Sequence, residues 1–430
     1  MTVAVVCAQE NGPPSRKGPT IRMKDGFAAG VFGEDGSLKA RIAGESAEII
    51  PDTRQSSVNQ FQLEILKPGS TNEPEIIITA DQAVYSETTR IAGSEGLIEM
   101  RSGDGQFAMK GRGFQWDVDK GLITVAEHIE TRLEPSEVGT ADDPSRGEPA
   151  AEDAGRGFVG NWKEIGALTI TSSTVQYNTQ TALASYADNV RAHDGEKLEV
   201  TSEKMDLQLR PGGESLDQII ISGNVDVKLH QDGRDYNIQS GRAVYQLGEG
   251  GREVLVFTQS GPTWATPEAS GRGKVLSFFL PEKRIVVDGD AGASLRIPER
   301  FREEFRESTG QNSIFTDRLE VSCQSYNYQG RDLVLSDVSR IRSGETVLHT
   351  KDLQVQLDED MKVTAMETGP EFTMNGMLRG KPFDLAGSFL GVRDLDTDSP
   401  TATVTGAGRW SWGHQSGGAR TLSLEVSSMA

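Results

Sequence analysis

Cysteine is nearly absent from this 430-residue chain, which has only Cys7 and Cys323. Cys7 lies in a stretch that reads as a leader remnant, so the mature chain would hold one thiol and no internal disulfide. An envelope protein can do without disulfides, so this constrains the compartment only weakly. Cys323, on a predicted strand, is expected to be buried and inert. Histidine is equally sparse. His128, His193, His230, His349 and His414 are scattered, with no H-x-H or H-E-x-x-H spacing for zinc. Each is expected on the surface of a strand. No G-x-S-x-G elbow, P-loop or dinucleotide fingerprint occurs. Asp394, Asp396 and Asp398 begin like a calcium loop, but Ser399 stands where the loop needs glycine and Thr405 where it needs glutamate. A solvated acidic turn is the expectation. The residues therefore point to a non-enzymatic chain with no cofactor and no metal.

Basic charge is also in short supply. The formal net charge of −20 and an isoelectric point near 4.8 argue against a nucleic-acid partner, which calls for a basic stripe. No apolar run reaches the roughly 18 residues of a membrane-spanning helix. Apolar residues make up 36% of the chain, little for a large globular core. A thin β-structure around one narrow interior has such a composition, and so does a chain with disordered linkers.

What the chain does have is alternation. From Leu168 to Leu295 one short apolar-polar run follows another: LTITSSTVQY, TALASYADNVRAH, KLEVTSEKMDLQL, DQIIISGNVDVKL, DYNIQSGRAVYQL, REVLVFTQSGPTW, GKVLSFFL and RIVVDGDAGASL. Period 2 is the mark of a strand with one dry face and one wet face. Asp188-Asn189 and Ser222-Gly223-Asn224 interrupt these runs as turns, since Gly and Asn accept turn geometry.

Composition divides the chain. Residues 1–19 are a leader remnant, MTVAVVCA, and a disordered lead-in; the small residues around Cys7 resemble the end of a secretory signal, so export is expected. A first β-module covers 20–133. Residues 134–160, rich in Pro, Gly, Ala and acids, read as a flexible linker. A central β-module covers 161–298. Over 299–312 a short helical connector is predicted, with Phe301 and Phe305 one turn apart. A third β-module covers 313–413, and 414–430 is a tail.

One phrase recurs: ITADQAVY at 78–85, ITSSTVQY at 170–177 and IQSGRAVY at 238–245, with looser copies at 200–209 and 349–357. Each copy leads to a corner centred on Gly or Asn, as in SEGLIEM, ADNVRAH, SGNVDVK, SGPTW and TGPEFTM. A unit that cannot bury its own apolar face must stack on its neighbours, which gives a sheet-on-sheet sandwich with one long interior.

These phrases resemble the OstA-like module of the lipopolysaccharide-transport bridge proteins. The first block, from SLKARIAGESAEII to FQWDVDKGLITV, resembles the related inner-membrane-associated component of that pathway. Together they cover roughly residues 20 to 298, with a weaker third copy beyond. The resemblance implies an all-β fold of tandem open β-jellyrolls (β-tacos) stacked into an elongated sheet-on-sheet sandwich. It also implies a periplasmic protein whose apolar groove carries lipid A acyl chains of lipopolysaccharide or a related glycolipid between the inner and outer membranes. Such modules join edge to edge, so other bridge components, or a second copy of the chain, are the expected protein partners. The chain departs from the family in having three modules rather than one and in showing no N-terminal transmembrane helix.

Alternation in the central block makes Ile170, Val175, Tyr177, Val190, Leu198, Val200, Leu207, Ile219, Ile221, Val225, Val227, Ile238, Tyr245, Phe257 and Phe278 the candidates for the groove interior. A sealed core would produce the same pattern. An apolar slot gains about 0.8 kcal/mol per buried CH₂ and needs no sharp polar motif. Arg191, Lys197 and Arg242 are candidate rim cations. Two other readings stay open: a structural or adhesive β-solenoid that binds proteins through its edges, and a polysaccharide-acting enzyme with converging carboxylates.

Overall fold

Alternation in the sequence becomes alternation of buried and exposed side chains in the computed structural model. The structure describes residues 20–33, 36–67, 69–134, 167–195, 197–209, 216–231, 234–247, 253–279, 282, 284–299, 316–378, 380–395, 397 and 400–425. Every element among them is a β-strand, so the chain is all-β. No helix among them is long and apolar enough to cross a membrane. The leader remnant, nearly all of the 134–160 linker and most of the predicted helical connector lie outside the described residues.

The long strands are bent. Along Leu198–Leu209, Leu198, Val200 and Ser202 are buried, Glu203 and Lys204 are both exposed, and Met205 and Leu207 are buried again. Two consecutive exposed residues shift the phase of the alternation by one. The partner strand Leu216–Gln231 bends at the same level, where Gly223 and Asn224 have φ of 77° and 48°. The register slips there on both strands: Thr201 faces Asp226, but Lys204 faces Ser222. A bulge bends a strand and raises its twist. Bulges stacked on successive strands fold a sheet through a corner into two facing halves. Gly223 is required at this corner, because a Cβ would overlap the Glu203 side chain as well as meet the left-handed backbone.

This corrects one expectation. Asp188-Asn189 and Ser222-Gly223-Asn224 do not end strands. They are bends within the continuous strands Leu183–His193 and Leu216–Gln231. Gly and Asn are there for the same backbone reason, but hydrogen bonding resumes on the far side.

The strands group into two compact units. The first consists of the described residues up to Thr131 together with Thr174–Leu183. In it Phe27–Phe32 pairs with Leu38–Gly44, and Ile21–Met23 with Ser46–Ile50. Both partners pair with Gln55–Leu66, which bends at Gln60 (φ 50°). Pro74–Ser86, Ile91–Ser102 and Phe107–Asp117 follow as a meander. Thr174–Asn178 then pairs with the first part of Leu122–Leu133. Near the corner Phe61 and Phe114, from the two halves, meet at 5.9 Å between ring centroids.

The second unit holds nearly all of the remaining described chain. Leu198–Leu209, Leu216–Gln231 and Arg234–Leu247 form its central meander. From there each half-sheet has its own short strands. Thr263–Ala265 and Ala269–Arg272 extend one half, and Glu253–Thr258 and Val275–Phe279 extend the other. Arg284–Arg296 reunites both halves and pairs along its length with Arg318–Gln329. The ladders therefore run on unbroken from the central block into 313–413, and on to Gln415–Glu425 in the tail. The two blocks form one unit, because their joining strands pair on both sides of the corner.

Candidate functional site

Directly opposed residues of antiparallel strands share a face, so the pairing register traces the interior as rows. On one half of the second unit a row passes through Val200, Val227, Ile238, Trp264, Gly271, Ala293 and Val321. It continues through Ile341, Leu348, Met374 and Leu385 to Trp410. On the other half a row joins Leu207, Ile219, Tyr245, Leu255, Phe278, Ile285 and Tyr328. Beside it Met205, Ile221, Ala243, Phe257, Leu276, Val287 and Tyr326 form a parallel row. No charged side chain stands in any of these rows.

Every candidate interior residue is buried: Ile170, Val175, Tyr177, Val190, Leu198, Val200, Leu207, Ile219, Ile221, Val225, Val227, Ile238, Tyr245, Phe257 and Phe278. Phe257 and Phe278 pack edge to face with centroids 5.7 Å apart. Val175 and Tyr177 lie in the first unit, opposite Val125 and Ile123. The others lie in the second. Buried as they are, these side chains pack on one another.

The first unit has equivalent rows. One runs through Ile42, Leu63, Ile78, Met100 and Met109. A second, nearer the strand ends, contains Ser56, Tyr85, Ala92 and Trp116.

Two hydrogen bonds cross from one half-sheet to the other. In the first unit the Tyr177 hydroxyl donates to Glu75 Oε1 at 2.9 Å. Glu75 reaches the interior through a bulge: Ile65 faces Ile76 but Leu66 faces Pro74, so Glu75 and Ile76 are both buried. Burial raises the Glu75 carboxyl above its usual range, against the opposing pull of Tyr177 and the Lys67 charge. Burial first, then the Glu75 charge, pushes the Tyr177 phenol well above its usual value. In the second unit Trp264 Nε1 donates to the Tyr326 hydroxyl at 2.7 Å. The Trp116 indole N–H is buried and has no hydrogen-bond partner among the described residues. Sequence reading missed Glu75, Trp116, Trp264 and Tyr326. Only Glu75 leaves a trace, as an acid just before the apolar run IIITA.

Other candidates lie outside the interior. The five histidines are exposed; His230 contacts Asp235 at 2.8 Å and His349 the Ser339 carbonyl at 3.2 Å. Arg191 and Lys197 are exposed and Arg242 is half-buried. Asp394 sits in a turn closed by the Thr397 N–H, while Asp396, Asp398 and Ser399 fall outside the described residues. Among the described residues no group of three His, Cys, Asp or Glu side chains could hold a metal ion. Cys323 is buried, and burial pushes its thiol up to about 11.

The sheet has bare edges among the described residues. Phe27–Phe32 pairs on one side only, and so does Gln415–Glu425. Ile21, Met23 and Phe32 at the first of these edges are 50%, 38% and 54% exposed. No protein-family model matches this chain, and no curated protein is significantly similar to it.

Proposed function

We propose that the chain is a non-enzymatic, periplasmic carrier that holds the acyl chains of lipopolysaccharide or a related glycolipid between its two half-sheets. In this reading it forms part of a bridge between the inner and outer membranes. The observation that supports it is the row of uncharged side chains running strand after strand from Val200 to Trp410. A sealed core of this breadth is built as readily, but a row that never closes on itself also offers a path along which an acyl chain slides. The acidic surface leaves sugars and phosphates in water and only the tails inside. The bare edges offer unpaired backbone groups through which another bridge component, or a second copy, would extend the sheet.

A second reading, a scaffold that binds proteins through its edges and carries no lipid, is favoured by the closed interior and its cross-sheet hydrogen bonds. The two separate in one experiment. The chain from residue 9 onward is made in a lipopolysaccharide-producing host, purified gently and weighed by native mass spectrometry. Carriage gives a bound glycolipid mass. A lipid-free protein that also ignores added lipopolysaccharide supports the scaffold.

A further inference from the structure

Glu75, Tyr177 and Trp116 share a level in the first unit. Glu75 is the second residue of Pro74–Ser86, beside the turn that precedes it. Tyr177 and Trp116 are each the last but one of their strands, Thr174–Asn178 and Phe107–Asp117. The strand Leu122–Leu133 lies between those two: Val125 faces Val175, and a Cβ on Gly113 would meet Ala126 at 3.6 Å. All three residues thus sit at the strand ends, away from the corner that joins the halves. Their polar atoms are a carboxylate acceptor, a hydroxyl and an indole N–H with no partner among the described residues, in an interior whose other buried side chains are apolar except for Thr131.

An acyl chain with its tail toward the corner would bring its polar junction, an amide or ester with any nearby hydroxyl, to this level. We propose that Glu75, Tyr177 and Trp116 form a polar collar that closes the interior of the first unit and receives the amide or ester junction of a bound acyl chain. A ligand carbonyl accepts from the Trp116 N–H, which gains the partner it lacks. A ligand N–H or O–H donates to Glu75 as the Tyr177 bond opens. The collar rests on the lipid-carrying reading above and adds to it a preference for junctions bearing a carbonyl.

The test compares two probes with the same photoreactive tetradecyl tail: an N-acyl glucosamine and an alkyl glucoside, which has no carbonyl. Adducts on the intact chain are mapped by mass spectrometry. The unmodified protein should take the amide probe into the first unit in preference to the glucoside. Trp116→Phe, which keeps an aromatic ring but loses the N–H that reads the carbonyl, should reduce that preference about fivefold, the effect of one ordinary hydrogen bond. Glu75→Gln keeps an acceptor and should retain most of the preference, whereas Glu75→Leu, which removes it, should lower it, so this pair serves if Trp116→Phe folds poorly. First-unit adducts with the same amide-to-glucoside ratio in all forms would overturn the collar and leave lipid carriage standing. No adducts in either unit with either probe would overturn both.

Discussion

The indole of Trp264 hydrogen-bonds the hydroxyl of Tyr326 across the interior of the second unit at 2.7 Å, 62 residues away in sequence. Gly271, next to Trp264 in its row, makes the approach feasible, since a Cβ there would overlap both the Tyr326 hydroxyl and the Trp264 ring. Gly271→Val should therefore destabilise the second unit by about 1–3 kcal/mol through overpacking. Tyr326→Phe should cost about 1–3 kcal/mol by leaving the Trp264 N–H buried without an acceptor. Urea denaturation of both variants checks this.

Corners give a second test. Asn224 holds a φ of 48° in the bend of Leu216–Gln231. A β-branched residue resists that region, so Asn224→Val should lower stability by about 1–2 kcal/mol, whereas Asn224→Gly should be close to neutral. Thermal unfolding of the two variants side by side separates backbone strain from loss of the Asn224–Glu203 hydrogen bond, which both lack.

Glu75 makes stability depend on pH in an unusual direction. Its folded carboxyl is raised above the usual value by burial. Below the ordinary carboxylate range both folded and unfolded states carry the proton, and the contribution is at its best. As pH rises the unfolded state releases the proton first, so stability falls until pH passes the raised folded value. Glu75→Gln has no such fall. Hydrogen exchange over Pro74–Ser86 should show the variant better protected than the parent at pH 8, with the gap closing towards pH 4.

Cys323 should be silent in the native state. With its thiol pushed up to about 11, only about one molecule in a thousand is thiolate at pH 8. In a Cys7→Ser background, a thiol reagent should label Cys323 slowly at pH 8 and at once after urea unfolding. Rapid native labelling would mean that the strand Arg318–Gln329 opens.

How much was legible in the sequence follows from what period 2 encodes. It identifies which face of a strand is dry, and every residue it placed inside the central block is buried. Gly-Asn corners were visible too, but not as bends inside continuous strands, because a bulge and a turn use the same residues. The clearer signal was the doublet of polar residues that shifts the alternation, as Glu203-Lys204 does. Pairing across distance was not legible. Thr174–Asn178 belongs with the first unit, and Tyr177 reaches Glu75 across 102 residues, since nothing in a five-residue strand names the edge it joins. Whether the interior is filled by its own side chains or parted by a lipid leaves no mark on the alternation at all.

The most direct measurement compares neighbours on one strand. Val200 faces the interior at 4% exposure, whereas Glu199 points outward and pairs with Lys228 at 3.3 Å. A photo-crosslinking amino acid is placed at Val200, at Val225 or at Glu199, in a host that makes lipopolysaccharide. Carriage between the half-sheets gives glycolipid adducts at Val200 and Val225 and none at Glu199. Equal labelling at all three positions, or none at any, would contradict it.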